Sequence, residues 1–248
     1  MKNRELGEMD RIPTGINGLD EILGGGFPRG TTILVTGPSG TGKTIFCAQF
    51  LYKGIRDYNE NGVYVTLEAR PKDLRTEMES LGWDLKTYED QERLVIMDVA
   101  SAASGMYTGE KFSMPSGLDT DLLISKIYSI TKRIHAQRLV IDSLPALELR
   151  VTDTGQIRNI IYRLSSLLLE MGVTSLLTTE SISPEMISRY GVEEFICRGV
   201  IMLDLEERGN DLKRTIRVRK MREIDHTMRK INFEIDNDGI IIFSRGQE

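Results

Sequence analysis

The sequence is poor in several features, and each shortage excludes a class. It has two cysteines, Cys47 and Cys197, in 248 residues. They form no paired framework and no metal-ligand spacing, which excludes a disulfide-stapled scaffold and a cysteine-based zinc site. Cys47 is expected to pack in a helix and Cys197 to be structural, both as reduced thiols in a cytoplasmic protein. No apolar run approaches the ~20 residues of a membrane-spanning helix, so no membrane contact is expected. The first residues, "MKNRELGEMD", lack the apolar core of a secretory signal, and none is expected. Aromatics are 6% and the net charge is -5. That balance gives no global attraction to nucleic acid and few platforms for base stacking. Linkers, low-complexity tracts and internal repeats are also missing. The length suits a single α/β domain, expected to span 1–248.

What is present is an alternation. Ile33–Thr36, Val63–Leu67, Leu94–Asp98, Leu139–Asp142 and Thr174–Thr178 are short, continuously apolar runs. Continuous rather than alternating apolarity predicts strands buried on both faces of a parallel sheet. Between them, Leu74, Met78 and Leu81 recur at helical spacing. So do Leu123, Ile127, Ile130 and Ile134, and then Ile157, Ile161, Leu164 and Leu168. Strand–helix alternation of this kind predicts right-handed βαβ units. The end of the chain changes character. Val200–Leu205, Thr215–Met221, Ile231–Ile235 and Ile240–Phe243 read as strands joined by polar turns, an antiparallel extension of the same sheet. Residues 101–119 are rich in Ser and Gly without a period and predict a long mobile loop. The segments Leu149–Gly155 and Ser181–Tyr190 are expected to be mobile too. His135 is placed in a helix with a surface role.

One stretch carries chemistry. "GPSGTGKT", Gly37 to Thr44, fits G-x-x-x-x-G-K-[ST] between the strand run "TILVT" and a helical run. That context separates a phosphate site from an ordinary glycine-rich turn. Gly37, Pro38, Ser39, Gly40, Thr41 and Gly42 form the loop, whose backbone N–H groups wrap phosphates. Lys43 neutralises the β and γ oxygens, and the Thr44 hydroxyl is a Mg²⁺ ligand. "RLVIDS" ends an apolar strand in Asp142, the expected second metal carboxylate; the plainer reading is an Asp capping the next turn. "VYVTLEARP" supplies Glu68, expected to act on water from the end of the strand next to the P-loop strand. Glu180 in "TTE" is the next candidate, with Thr178 and Thr179 as sensors of the γ-phosphate.

These pieces and their surroundings resemble the KaiC family of RecA-like ATPases. The likeness runs from about Arg11 to Phe243 and includes "TGINGLDEILGGGFPRG", "LGWDL", "TTESI", "RYGVEEF" and "RTIRVRKMREIDH". It covers one such domain, whereas the clock protein carries two in tandem. The resemblance implies a RecA-like P-loop NTPase fold and a homohexameric ring with ATP or ADP and Mg²⁺ between subunits. It supports the P-loop residues, gives Glu68 as catalytic carboxylate and makes Asp142 the acid behind the metal. It places Ser80 near the nucleotide, and Asp236 and Asn237 near the adenine of the adjacent protomer. It also implies that Lys220, Arg222 and His226, just after a strand, reach the neighbour's phosphates. Two departures stand out. The family usually has paired glutamates where this chain has Glu68 and Ala69. A Ser-Thr pair phosphorylated in the clock protein is replaced by Glu194 and Phe195, so autokinase activity of that type is not expected.

The functional expectation is an ATPase ring that signals to an unknown protein partner through shape change. A recombinase-like DNA binder shares the same site. DNA binding is possible but not favoured by the acidic composition, and Arg217 and Arg219 read as a solvated strand face. A scaffold that binds nucleotide and barely turns over is a third reading.

Overall fold

The computed structural model describes residues 10–103, 105, 109–115, 119–149, 151–181 and 186–243. A two-residue strand β1 (Arg11–Ile12) pairs antiparallel with β2 (Phe27–Pro28) around a short helix α1 (Leu19–Ile22). Then come β3 (Thr32–Thr36), α2 (Lys43–Tyr58), β4 (Gly62–Thr66), α3 (Pro71–Ser80), α4 (Leu85–Asp90) and β5 (Leu94–Asp98). After α5 (Ala100–Ala103) follow α6 (Thr120–Arg133), β6 (Arg138–Asp142), a 3-10 turn (Leu144–Leu149), α7 (Thr154–Met171) and β7 (Thr174–Thr179). The chain closes with α8 (Glu193–Ile196), β8 (Gly199–Arg208), β9 (Asp211–Met221), β10 (Ile231–Asp236) and β11 (Gly239–Ile242).

These strands make one nine-stranded sheet in the order β11-β10-β9-β8-β3-β7-β6-β4-β5. It is parallel from β8 to β5 and antiparallel from β8 to β11. The continuous apolarity of the inner strands has a direct cause, because alternate side chains feed two cores. Ile33 and Val35 join Phe46 and Phe50 of α2 on one face. Leu34 joins Ile161 and Leu164 of α7 on the other. The starts of α6 and α7 are fixed by side-chain caps. Asp119 accepts from Asp121 N at 2.9 Å and Leu122 N at 3.0 Å, and Asp153 accepts from Gln156 N at 2.7 Å.

Several expectations change. Segment 109–115 is not a structureless loop where it is described. Asp98 N donates to Phe112 O and Met114 N donates to Asp98 O, so this segment covers the open edge of β5 and buries Met114. The remainder of 101–119 beyond α5, apart from Gly105 and Asp119, lies outside the described residues. Asp153 caps α7, yet Leu149 is 70% exposed and residues 152–155 lie at the surface, whereas Tyr190 is 4% exposed, so of the other two segments only the second is packed at a described end. Residues 150 and 182–185 lie outside the described residues. His135 is not in a helix. It follows the end of α6 in the left-handed region, φ 49°, and is exposed. Arg219 is exposed as expected. Arg217 is not, because its guanidinium is half-buried against the Met202 sulfur at 3.3 Å.

Candidate functional site

The phosphate-loop motif links β3 to α2. Gly42 is the residue before the helix, at φ 97°, and no side chain caps the first turn. The first N–H groups of α2 therefore face the loop without an intrahelical partner. A side chain at Gly42 would sit 2.7 Å from Ile235 Cδ1, and one at Gly37 would collide with the Leu203 carbonyl oxygen. Gly37 is required by the close approach of β8, and Gly42 by its φ of 97°, to which the Ile235 methyl adds only crowding that can relax. Inside the loop Thr41 Oγ1 donates to Pro38 O at 2.9 Å, and Lys43 Nζ donates to Gly37 O at 2.8 Å and Pro38 O at 2.9 Å. Ser39 and Gly40 are exposed at the tip. Burial pulls the Lys43 ammonium below its ordinary range, opposed by the carboxylates of Glu180, Asp142 and Glu68.

Asp142 ends β6 and is 8% exposed. Its Oδ2 accepts from Thr44 Oγ1 at 2.9 Å and from Tyr64 Oη at 2.6 Å, and its Oδ1 accepts from Thr178 Oγ1 at 2.5 Å. Burial first, then the adjacent Asp142 carboxylate, push the Tyr64 phenol well above its usual range, so it stays a donor. Glu68 lies two residues past β4, exposed, and accepts from Ser143 Oγ at 2.6 Å.

Its strand is not next to the P-loop strand as expected. β7 and β8 flank β3, and β4 is separated from it by β7 and β6. Glu68 reaches the site because the carboxyl ends of these strands converge, as in other open α/β sheets. Of the two strands that flank β3, β7 is followed directly by Glu180, which pairs with Arg189 at 3.4 Å. Thr178 and Thr179, expected as sensors of the γ-phosphate, are both buried with protein partners. Thr178 donates to Asp142, and Thr179 Oγ1 donates to the buried Glu193 at 3.1 Å.

Lys220 lies within β9 rather than after it, and its Nζ donates to Glu194 O at 2.9 Å and Cys197 O at 2.7 Å. Arg222 is exposed. His226 lines a groove of 1990 Å³ along β9 and β10, together with Arg214, Arg229 and Lys230. That groove lies beside the P-loop rather than on it, although Arg214 also donates to Gly40 O at 3.4 Å. Asp236 and Asn237 are exposed at the β10–β11 turn. The turn packs on α2 of the same chain, where Lys53 approaches Asp238 at 3.8 Å and Gln49 accepts from Ile240 N at 2.7 Å. Ser80 ends α3, exposed, with its hydroxyl on Glu77 O at 2.6 Å. No contact brings it to the loop among the described residues. Sequence reasoning missed Tyr64, Ser143, Arg214 and Ile235. Tyr64 sits inside an apolar run and gave no signal; Ser143 directly follows the strand-end Asp and could have been suspected.

A KaiC ATPase family model matches residues 12–247. The chain belongs to the KaiC ATPase family. The circadian clock oscillator protein KaiC of Parathermosynechococcus lividus is 38% identical over 98% of this chain and 44% of its own length. That of Prochlorococcus marinus is 37% identical over 96% of this chain and 46% of its own length. The chain therefore spans less than half the length of these curated relatives. A crystal structure of a KaiC-like protein from Pyrococcus horikoshii matches with a TM-score of 0.85 and 47% identity, over 96% of this chain and 100% of that one. The KaiC-like architecture agrees with the mostly parallel sheet and its antiparallel end. KaiC-family membership carries ATP-binding ATPase activity at the family level. No described helix is long and apolar enough to cross a membrane.

Proposed function

We propose that this protein binds ATP with Mg²⁺ at Gly37–Thr44 and hydrolyses it, in a homohexameric ring whose sites are completed by the neighbouring subunit. The observation that carries the reading is the meeting of Lys43, the Thr44 hydroxyl and the Asp142 carboxylate at the mouth of a glycine-dependent loop.

The donor set fits Mg²⁺. Thr44 and Asp142 offer oxygen only, from one hydroxyl and one carboxylate. A Mg²⁺ that keeps several waters and takes the rest from substrate phosphates needs no more. When bound, the ion supplies neutralisation of charge on the β and γ oxygens. The chain's own groups do the remaining work. The N–H groups of Gly40–Thr44 bind phosphate oxygens, and Lys43 exchanges its loop carbonyls for them. Glu68 orients the attacking water and accepts its proton, with Ser143 fixing the carboxylate. Lys220, Arg222 and His226 contribute to the neighbour's site, where a fixed cation is worth ~10³–10⁵ in rate. Asp236, Asn237 and Ser80 contact the nucleoside. Shape change on hydrolysis is passed to an unknown protein partner.

Equilibrium binding of ATP, with and without Mg²⁺, tests the site. Lys43→Ala should weaken binding about 10–100-fold, the equivalent of one charge-assisted hydrogen bond. Unchanged affinity in that variant would remove the assignment.

A further inference from the structure

Three hydroxyls from three elements converge on Asp142: Thr44 of α2, Tyr64 of β4 and Thr178 of β7. A carboxylate offers about four lone-pair sites, so three are taken. The motif commits Thr44 to the metal. Tyr64 and Thr178 have no such second task, since both lie within the sheet at 2% and 0% exposure. Topology explains why they meet. β6 lies between β4 and β7. Ile141 pairs with Leu177, so Asp142 and Thr178 follow as neighbours across the strands. Tyr64 pairs with Val140, two residues before Asp142 and so on the same face of the pleat. Its phenol spans the step that a shorter side chain would not.

We propose that Tyr64, together with Thr178, is a positioning residue that fixes the Asp142 carboxylate for the divalent cation, setting affinity for the cation rather than for the nucleotide. The proposal rests on the phosphate-site reading above. Tyr64 holds Oδ2 and Thr178 holds Oδ1, one oxygen each, so the carboxylate cannot rotate. When Thr44 turns to the metal, each oxygen keeps about one lone pair for the ion's water shell. Losing an outer partner of this kind typically costs 10–100-fold in metal affinity. The ring of Tyr64 belongs to the core that packs α2 against the sheet. Tyr64→Phe therefore keeps the packing and removes only the hydroxyl.

The test is Mn²⁺ affinity, read by electron paramagnetic resonance on full-length protein with a non-hydrolysable ATP analogue. Metal-free affinity for the analogue is measured alongside. Tyr64→Phe should raise the Mn²⁺ dissociation constant at least ~10-fold while metal-free analogue affinity moves less than about twofold. Thr178→Val should shift Mn²⁺ binding in the same direction, and Thr178→Ser, which keeps the hydroxyl, should restore it. A Tyr64→Phe protein with wild-type Mn²⁺ affinity overturns the proposal, whatever happens to its melting temperature. If Tyr64→Phe does not fold, the Thr178→Val and Thr178→Ser pair decides, and equal Mn²⁺ affinity in those two overturns it. Wild-type protein that binds no Mn²⁺ with the analogue overturns the phosphate-site reading itself, a result distinguishable from failure of the Tyr64 variant alone.

Discussion

Arg138 opens β6, and none of its side chain is exposed. Its guanidinium donates to Glu60 at 2.8 Å, to Phe50 O at 2.8 Å and to Pro13 O at 2.8 Å, and lies 4.5 Å from the Phe50 ring centre. It clips α2 and the N-terminal segment to the sheet, behind the site and not in it. A side chain at Gly54 would run into this guanidinium. Arg138→Met should therefore destabilise by about 2–6 kcal/mol, because two carbonyls lose their donor at about 1–3 kcal/mol each while Glu60 keeps Arg29. Gly54→Ala should cost about 1–3 kcal/mol by overpacking. Denaturant midpoints check both. The thiols give a second prediction at this scale. Burial pushes Cys47 well up and Cys197 up to about 12. Neither should react with a thiol reagent at neutral pH until the protein unfolds, since the thiolate is the nucleophile. Rapid labelling of the native protein would contradict the burial of both cysteines.

At the scale of elements, the loop and α2 act together because β8 and β10 press on them. Gly42→Ala should weaken phosphate binding while leaving the sheet intact, as a side chain at φ 97° strains the loop that presents the N–H groups. Nucleotide binding and circular dichroism measured on the same sample check this. The inner strands were legible because each is buried on both faces, which leaves an unbroken apolar run. The P-loop was legible because its chemistry demands fixed residue types at fixed spacing. Short helices such as α4 and α8 were not, since six or four residues carry too little periodicity. Strand order was not legible either. Periodicity records which faces are buried but not which strand lies beside which, so the strand that carries Glu68 is expected beside β3 but lies two strands further away. Tyr64 was invisible for a related reason, as its ring reads as core and only the folded register brings its hydroxyl to Asp142.

At the scale of the whole molecule, the candidate site is built at the carboxyl ends of interior strands of the sheet, and the cations proposed to complete it lie elsewhere. Lys220 is bonded to carbonyls around α8, and Arg222 is exposed beyond β9. If they act on a neighbour, Arg222→Ala and Lys43→Ala should each be inactive alone, and mixed assemblies should regain activity at interfaces that pair an intact loop with an intact arginine. Full activity of Arg222→Ala in isolated monomers would contradict the shared site. The central claim is hydrolysis at the loop by Glu68. Phosphate release from saturating MgATP, measured on wild-type protein and Glu68→Gln with bound ATP quantified in both, tests it most directly. The account predicts equal ATP binding and a fall in release of at least ~10²-fold in the variant, the scale of losing a general base. Equal release rates from the two proteins would contradict it.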